Sequence, residues 1–244
     1  MRPPKSVRKK RNRRFSTVMH AYPIFLSLAH ARCLVVGAGS VARRKLAGML
    51  DAGAHDILVV APAVADPSMT SLFENPCVRF EKRVFEPGDL DGRFLVAAAA
   101  GARSVNTTVS AACRERNIVC IVADAPEEGS GINPAMLSHG PLRLALSTGG
   151  NSPAMTRRIK YELDAWLAHR YDQQIALLAR VRPLLATDES LDQPARAVLF
   201  HSLAGAELGA CLQAENRTGC ETLLRELLPP ALHDRITELL HELV

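Results

Sequence analysis

Residues 33–53 read CLVVGAGSVARRKLAGMLDAG, and the fold follows from them. Cys33 to Val36 is an unbroken apolar run with two adjacent valines, the pattern of a short strand buried on both faces. The loop Gly37-Ala-Gly39-Ser-Val-Ala42 follows at once. From Val41, apolar residues recur at helical spacing (Val41, Ala42, Leu46, Met49, Leu50), and Gly53 is placed to end that helix. Strand, glycine loop and helix form the context in which G-x-G-x-x-A holds a dinucleotide. Gly37 permits the tight turn and Gly39 lets the backbone approach a pyrophosphate. Ala42 allows close helix–sheet packing, and the helix N-terminus faces the anion.

Outward from this loop the same alternation repeats. Ile57-Leu-Val-Val-Ala61 predicts a second strand, stopped by Pro62. Further strands are predicted at 78–80, 94–100 and 118–123, with a helix over 105–116 between the last two. Apolar strands alternating with helices indicate a parallel sheet covered on both faces, an α/β fold of the Rossmann-like kind. After Asp124 the chain changes character: residues 125–153 are rich in Gly, Pro, Ser and Asn, with one strand expected at 142–147. Ser152-Pro153 opens a long helix, with serine as N-cap and proline at the first helical position. From there to Val244 the reading is helical, broken at Arg182-Pro183, at 192–194 and at Pro229-Pro230. The expected organisation is a tail over 1–19, a nucleotide-binding domain over 20–125, a segment over 126–153 and a helical region over 154–244.

The chain of 244 residues is 48% hydrophobic and 23% charged, which describes a soluble globular protein. No apolar run approaches the roughly 20 residues of a membrane span. The net charge of +5 belongs to the tail: residues 1–14 carry eight Lys/Arg and no acid, leaving the rest at −3. Such a tail reads as solvated, with no sequence-specific nucleic-acid partner. No apolar segment follows it as in a secretory signal, so a cytoplasmic location is expected. Six cysteines without a C-x-x-C pair exclude a zinc knuckle or disulfide framework and read as reduced core residues. Met136 and Met155 read as core, and His139 as a turn histidine.

One part of the dinucleotide fingerprint is absent. The second strand ends in Val60-Ala-Pro62 without the acid expected for an adenosine ribose; Asp56 precedes the strand and Asp66 lies beyond the proline. Arg43 and Arg44 would suit a 2′-phosphate, so the chemistry alone leaves NAD against NADP open.

Several motifs combine into a resemblance. The stretch 33–42 with Arg43-Arg44-Lys45, Val59-Val-Ala-Pro62, Ser104-Val-Asn106, Ile121-Val-Ala-Asp124-Ala-Pro126, Pro134-Ala135, Ser147-Thr-Gly-Gly-Asn-Ser-Pro153 and Tyr22-Pro-Ile-Phe25 appear in order over residues 20–170. Together they resemble the siroheme-synthase N-terminal module, a family of precorrin-2 dehydrogenases, some also sirohydrochlorin ferrochelatases. The resemblance implies NAD-dependent oxidation of precorrin-2 to sirohydrochlorin in siroheme (porphyrin-type tetrapyrrole) biosynthesis. It also implies a homodimer whose interface comes from the 126–153 segment. The family's key carboxylate maps onto Asp124, and its nucleotide contacts onto Ser40, Val41, Ala61 and Pro62. One departure stands out: Ala100-Gly101-Ala102 occupies the place of acids common in the family.

The chemistry asks for few residues. Asp124 closes a parallel strand, where open α/β sheets place ligands, and is the candidate general base. A local alternative is an Asx cap of the turn before proline. Thr148, Gly149, Gly150, Asn151 and Ser152 present backbone N–H groups ahead of a helix, suited to a substrate carboxylate, and Arg157 adds a cation. No metal ligands are expected, and ferrochelatase activity is left open. Three other functions fit the nucleotide loop: an NAD-sensing regulatory module, an oxidoreductase acting on another acidic substrate, and a scaffold that delivers tetrapyrrole without turnover.

Overall fold

The computed structural model describes residues 21–168, 170–188 and 190–244; the basic tail read at 1–19 lies outside them. Contacts divide the chain into two compact units. The first runs to Asn133 and includes Gly149–Asn151; the second comprises Pro134–Thr148 and Ser152–Val244.

The first unit is built on β1 (Arg32–Val36), β2 (Asp56–Val60), β3 (Val78–Glu81), β4 (Leu95–Ala98) and β5 (Val119–Val122). All pairings are parallel, in the order β3-β2-β1-β4-β5. Helices α1 (Ser40–Asp51), α2 (Thr70–Phe73) and α3 (Arg103–Glu115) connect them. β1 and β2 are buried from their second residue onward, which is why they read as continuous apolar runs. Alternate residues serve opposite cores. Cys33 and Val35 pack with Ala42, Leu46 and Met49 of α1, while Leu34 and Val36 pack with Val109 and Cys113 of α3. Each fully buried aliphatic side chain contributes about 1.5–3 kcal/mol. The order reverses between β1 and β4, and a sheet of this kind opens a crevice at that switch point.

The second unit begins with an antiparallel hairpin, β6 (Ala135–His139) and β7 (Leu142–Leu146). Helix α4 (Pro153–Leu167) packs on β6, and His139 Nε2 meets Asp164 Oδ1 at 2.9 Å. The expected cap of α4 forms: Met155 N–H donates to Ser152 Oγ at 3.2 Å, with Pro153 in the first turn. Helices α5 (Asp172–Ala186), α6 (Gln193–Leu203), α7 (Ala206–Gln213), α8 (Arg217–Leu227) and α9 (Ile236–Leu239) share one core around Leu177, Leu203, Leu212, Leu224 and Ile236.

Several local expectations change. Pro183 sits inside α5 and does not break it. The ring is exposed, while Leu177, Val181 and Leu185 form a fully buried stripe that keeps the helix on its core across the proline. The break at 192–194 is a helix start, where Asp192 Oδ1 accepts Ala195 N–H at 2.8 Å. β6 was not anticipated. Met136 and Met155 are 41% and 46% exposed, on the outer faces of β6 and of α4's first turn, so neither is core. Cys77 and Cys211 are only half-buried; the other four cysteines are core, and all six are free thiols. No helix among the described residues is long and apolar enough to cross a membrane.

Candidate functional site

A cleft of about 630 Å³ opens over the C-terminal ends of the parallel strands. It gathers residues that lie far apart in sequence: Gly37, Gly39, Ser40 and Val41 after β1, Ala61 and Pro62 after β2, and Asp124 after β5. All the residues expected at the nucleotide and catalytic positions therefore share one cavity. Its other walls are mostly small and apolar, including Ala99–Ala102, and Asp124 is the only ionisable side chain among the lining residues.

The glycine loop has a steric reason at its first position. Gly37 takes φ +118°, and a Cβ there would overlap the Ala99 carbonyl oxygen and lie 2.7 Å from its carbon and 2.9 Å from Ala100 N. Gly37 N–H donates to Val60 O at 2.9 Å, which fixes the turn to the end of β2. Gly39 has no such constraint, since a Cβ would meet nothing within 4 Å. It is the N-cap of α1 and offers no side-chain cap, and the first turn holds no acid. The first intrahelical bond is Arg43 N–H to Gly39 O at 2.9 Å. The N–H groups of the preceding residues therefore carry the positive end of the helix dipole at the cleft wall, a setting for an anion. Ala42 is fully buried against the sheet, as its small side chain requires.

Asp124 is exposed at the mouth of β5. The Asx-cap alternative is not realised: among the described residues its carboxylate has one hydrogen bond, from Asn106 Nδ2 to Oδ1 at 2.9 Å. Asn106 is 1% exposed and does more than touch Asp124. Its Nδ2 also donates to Ala100 O at 3.0 Å, and its Oδ1 accepts Ala100 N–H at 2.9 Å. One buried amide thus joins the loop after β4 to the carboxylate after β5 and leaves Oδ2 without a donor among the described residues. The turn following Asp124 is held separately. Glu128 takes Arg103 Nη2 at 2.7 Å and the Thr107 hydroxyl at 2.9 Å, and its backbone oxygen accepts Arg114 Nη2 at 3.0 Å. The Glu128 hydrogen bond holds the Arg103 guanidinium firmly in its charged form.

Two residues here had no assigned role in the sequence. Asn106 appeared only as part of a motif. Asp66 was set aside because it lies beyond Pro62, yet Arg43 Nε reaches its Oδ2 at 3.2 Å.

The Thr148–Ser152 loop belongs partly to each unit. Gly149 and Gly150 take φ +61° and +83°. Thr148 Oγ1 accepts Ser152 N–H at 3.1 Å and meets Thr156 Oγ1 at 3.0 Å, and Ser152 caps α4. Asn151 and Arg157 are exposed. His139 is held by Asp164 and is not a free turn histidine. No group of three or more metal-ligating side chains occurs among the described residues.

Two family models match in succession: "Putative NAD(P)-binding" over residues 24–135 and "Sirohaem biosynthesis protein central" over 139–165. Curated relatives include the siroheme synthase of Thioalkalivibrio sulfidiphilus, 36% identical over 164 residues, covering 67% of this chain and 33% of that protein. The siroheme synthase of an Enterobacter species is 38% identical over 173 residues, covering 69% and 37%. The chain thus spans about a third of the length of these relatives. Among solved structures, SirC, a precorrin-2 dehydrogenase, superposes with a TM-score of 0.72 at 26% identity, over 85% of this chain and 98% of that one. With both family models matching in order and the fold matched along almost all of SirC, the chain is similar over these segments to the siroheme synthases and to SirC.

Proposed function

We propose that this chain is an NAD-dependent precorrin-2 dehydrogenase that forms sirohydrochlorin in siroheme biosynthesis, acting in the cytoplasm as a homodimer. The observation that carries the reading is that the glycine loop and a single amide-held carboxylate share one cleft. The site suits a dinucleotide on three counts: the Cβ-free turn at Gly37, the uncapped N-terminus of α1, and a volume in the range of small-molecule and cofactor pockets. A bound nicotinamide supplies the two-electron acceptor for the oxidation. The residues of the chain do the rest. The N–H groups at Ser40 and Val41 hold the pyrophosphate, and the alanine walls keep water from the reacting carbon. Asp124 Oδ2 takes the proton that leaves the macrocycle. The macrocycle carries eight carboxylates, and the Thr148–Ser152 loop and Arg157 are the residues proposed to meet them.

Iron insertion has a different demand. It must remove two pyrrole protons and deliver a metal, and Asp124 is alone among the cleft residues with no imidazole or thiol beside it. Ferrochelatase activity is therefore not part of the proposal.

The test is anaerobic turnover of the full chain with enzymatically generated precorrin-2 and NAD⁺, recording NADH and the sirohydrochlorin spectrum. Stoichiometric NADH and sirohydrochlorin are expected. Dinucleotide binding without turnover would replace this reading with a sensor or a delivery scaffold.

A further inference from the structure

β2 ends in Val60-Ala-Pro62, without the acid that reads a ribose in this fold. The backbone brings an acid back. Ala65 N–H and Asp66 N–H both donate to Ala38 O, at 3.0 and 3.1 Å, so the segment after Pro62 turns onto the glycine loop. Ala63 and Ala65, just before Asp66, line the cleft. The Asp66 carboxylate is then fixed on both oxygens. Ser68 N–H donates to Oδ1 at 3.0 Å and Arg43 Nε to Oδ2 at 3.2 Å. The Ser68 hydroxyl and N–H, helped by Arg43, hold the carboxyl below the usual carboxylate range, so it is an anion at neutral pH.

The consequence concerns Arg43, in the first turn of α1 directly after the loop. Such an arginine is the group an NADP site uses for the 2′-phosphate. That phosphate carries about −1.5 to −2 charge and needs uncommitted cationic donors. Here its Nε is bound to a carboxylate that a neighbouring turn holds still, which sets a fixed negative charge beside the remaining N–H donors. Resting on the reading of the cleft as a dinucleotide site, we infer that Asp66 sets a preference for NAD over NADP by pairing its fixed negative charge with Arg43, which offsets the cation and repels a 2′-phosphate. A ribose hydroxyl tolerates a neighbouring carboxylate as an acceptor; a phosphate does not.

The experiment measures the dissociation constants of NAD⁺ and NADP⁺ by calorimetry on the full chain, with no turnover required. Wild type binds NAD⁺ the more tightly. Asp66→Asn keeps the shape and an acceptor for Ser68 N–H but removes the charge, and it tightens NADP⁺ by about tenfold or more, the factor of one charge-assisted hydrogen bond. In Arg43→Ala/Asp66→Asn that gain in NADP⁺ affinity disappears. An unchanged NAD⁺/NADP⁺ ratio in Asp66→Asn overturns the inference, and so does a gain that survives loss of Arg43, since another cation such as Arg44 would then be responsible. Failure of wild type to bind either dinucleotide overturns the cofactor reading itself, a result distinct from both.

Discussion

Replacing Asn106 with alanine removes three hydrogen bonds from a side chain that is almost wholly inside the protein. Two of them satisfy the N–H and C=O of Ala100, which is half-buried, so each orphaned group costs near the low end of the range, about 1 kcal/mol. With the small cavity added, the variant loses about 2–3 kcal/mol of stability, a large share of the ~5–15 kcal/mol typical of a domain yet compatible with folding. The third bond orients Asp124. Without it the carboxylate samples other rotamers, and a misplacement of about 1 Å at a reacting group costs up to ~10²-fold in rate. The expected result is a kcat lowered by about 10- to 100-fold with KM and the NAD⁺ dissociation constant changed less than about threefold, because the nucleotide loop is untouched. Urea unfolding gives the stability, initial NADH formation the rate and calorimetry the binding. Asn106→Ser, which keeps a hydroxyl donor, recovers part of the rate. A folded Asn106→Ala protein with wild-type kcat would refute the argument, as would an equal loss in both variants accompanied by loss of NAD⁺ binding.

Asp124→Asn preserves shape but removes the proton acceptor; turnover falls by about 10²-fold or more while NAD⁺ affinity is retained, and unchanged NADH formation would remove Asp124 from the mechanism. Gly37→Ala must either move the Ala99–Ala100 backbone or abandon φ +118°, so thermal unfolding shows a loss of about 2 kcal/mol or more and dinucleotide binding is weakened. A variant as stable as wild type would show that the loop has slack. For Asp89, burial pushes the carboxyl up, but hydrogen bonds from Arg83 and Glu86 N–H outweigh it and hold it below the usual range. Its contribution is present above the unfolded carboxylate pKa and is lost as pH falls through the lower folded value. Asp89→Asn therefore costs about 1 kcal/mol at pH 7, and that gap to wild type narrows as the pH falls below the usual carboxylate range in urea titrations.

Strands buried on both faces announce themselves, which is why β1, β2 and β4 were legible as apolar runs and the glycine loop could be placed between a strand and a helix. β6 was not, because Ala135–His139 alternates weakly and becomes a strand by pairing with β7. Pro183 misled for a related reason: a local rule about proline yields to the fully buried stripe Leu177–Val181–Leu185, about two turns long. Within the site, Gly37, Asp124 and the strand ends were readable because backbone geometry dictates them. The partners of Asp124 and Arg43 were not. Asn106 and Asp66 stand 18 and 23 residues from the groups they hold, and only the crossovers of a parallel sheet bring them close. Asp66 in particular was discounted because it lies beyond Pro62, and the two bonds to Ala38 O turn that segment back onto the glycine loop.

The Gly37–Ala99 contact also bears on how the sheet aligns itself during folding. In most strands a slip of one residue is punished because it turns polar groups inward. Here that penalty is weak: Cys33, Leu34, Val35 and Val36 are all apolar, and so are the facing residues Leu95 to Ala98 of β4. Sliding β1 by one position would exchange one set of aliphatic side chains for another between two equally greasy cores. What resists the slip is the end of the strand. In the native register Gly37 lies against the Ala99 carbonyl with no room for a methyl group, and a one-residue shift would bring Ala38 or Val36 to that place. The glycine therefore acts as an alignment key between two central strands whose own side chains are nearly indifferent to their offset. Substitutions at Gly37 should consequently slow refolding as well as weaken ligand binding, because they remove the feature that tells correct pairing from its nearest error.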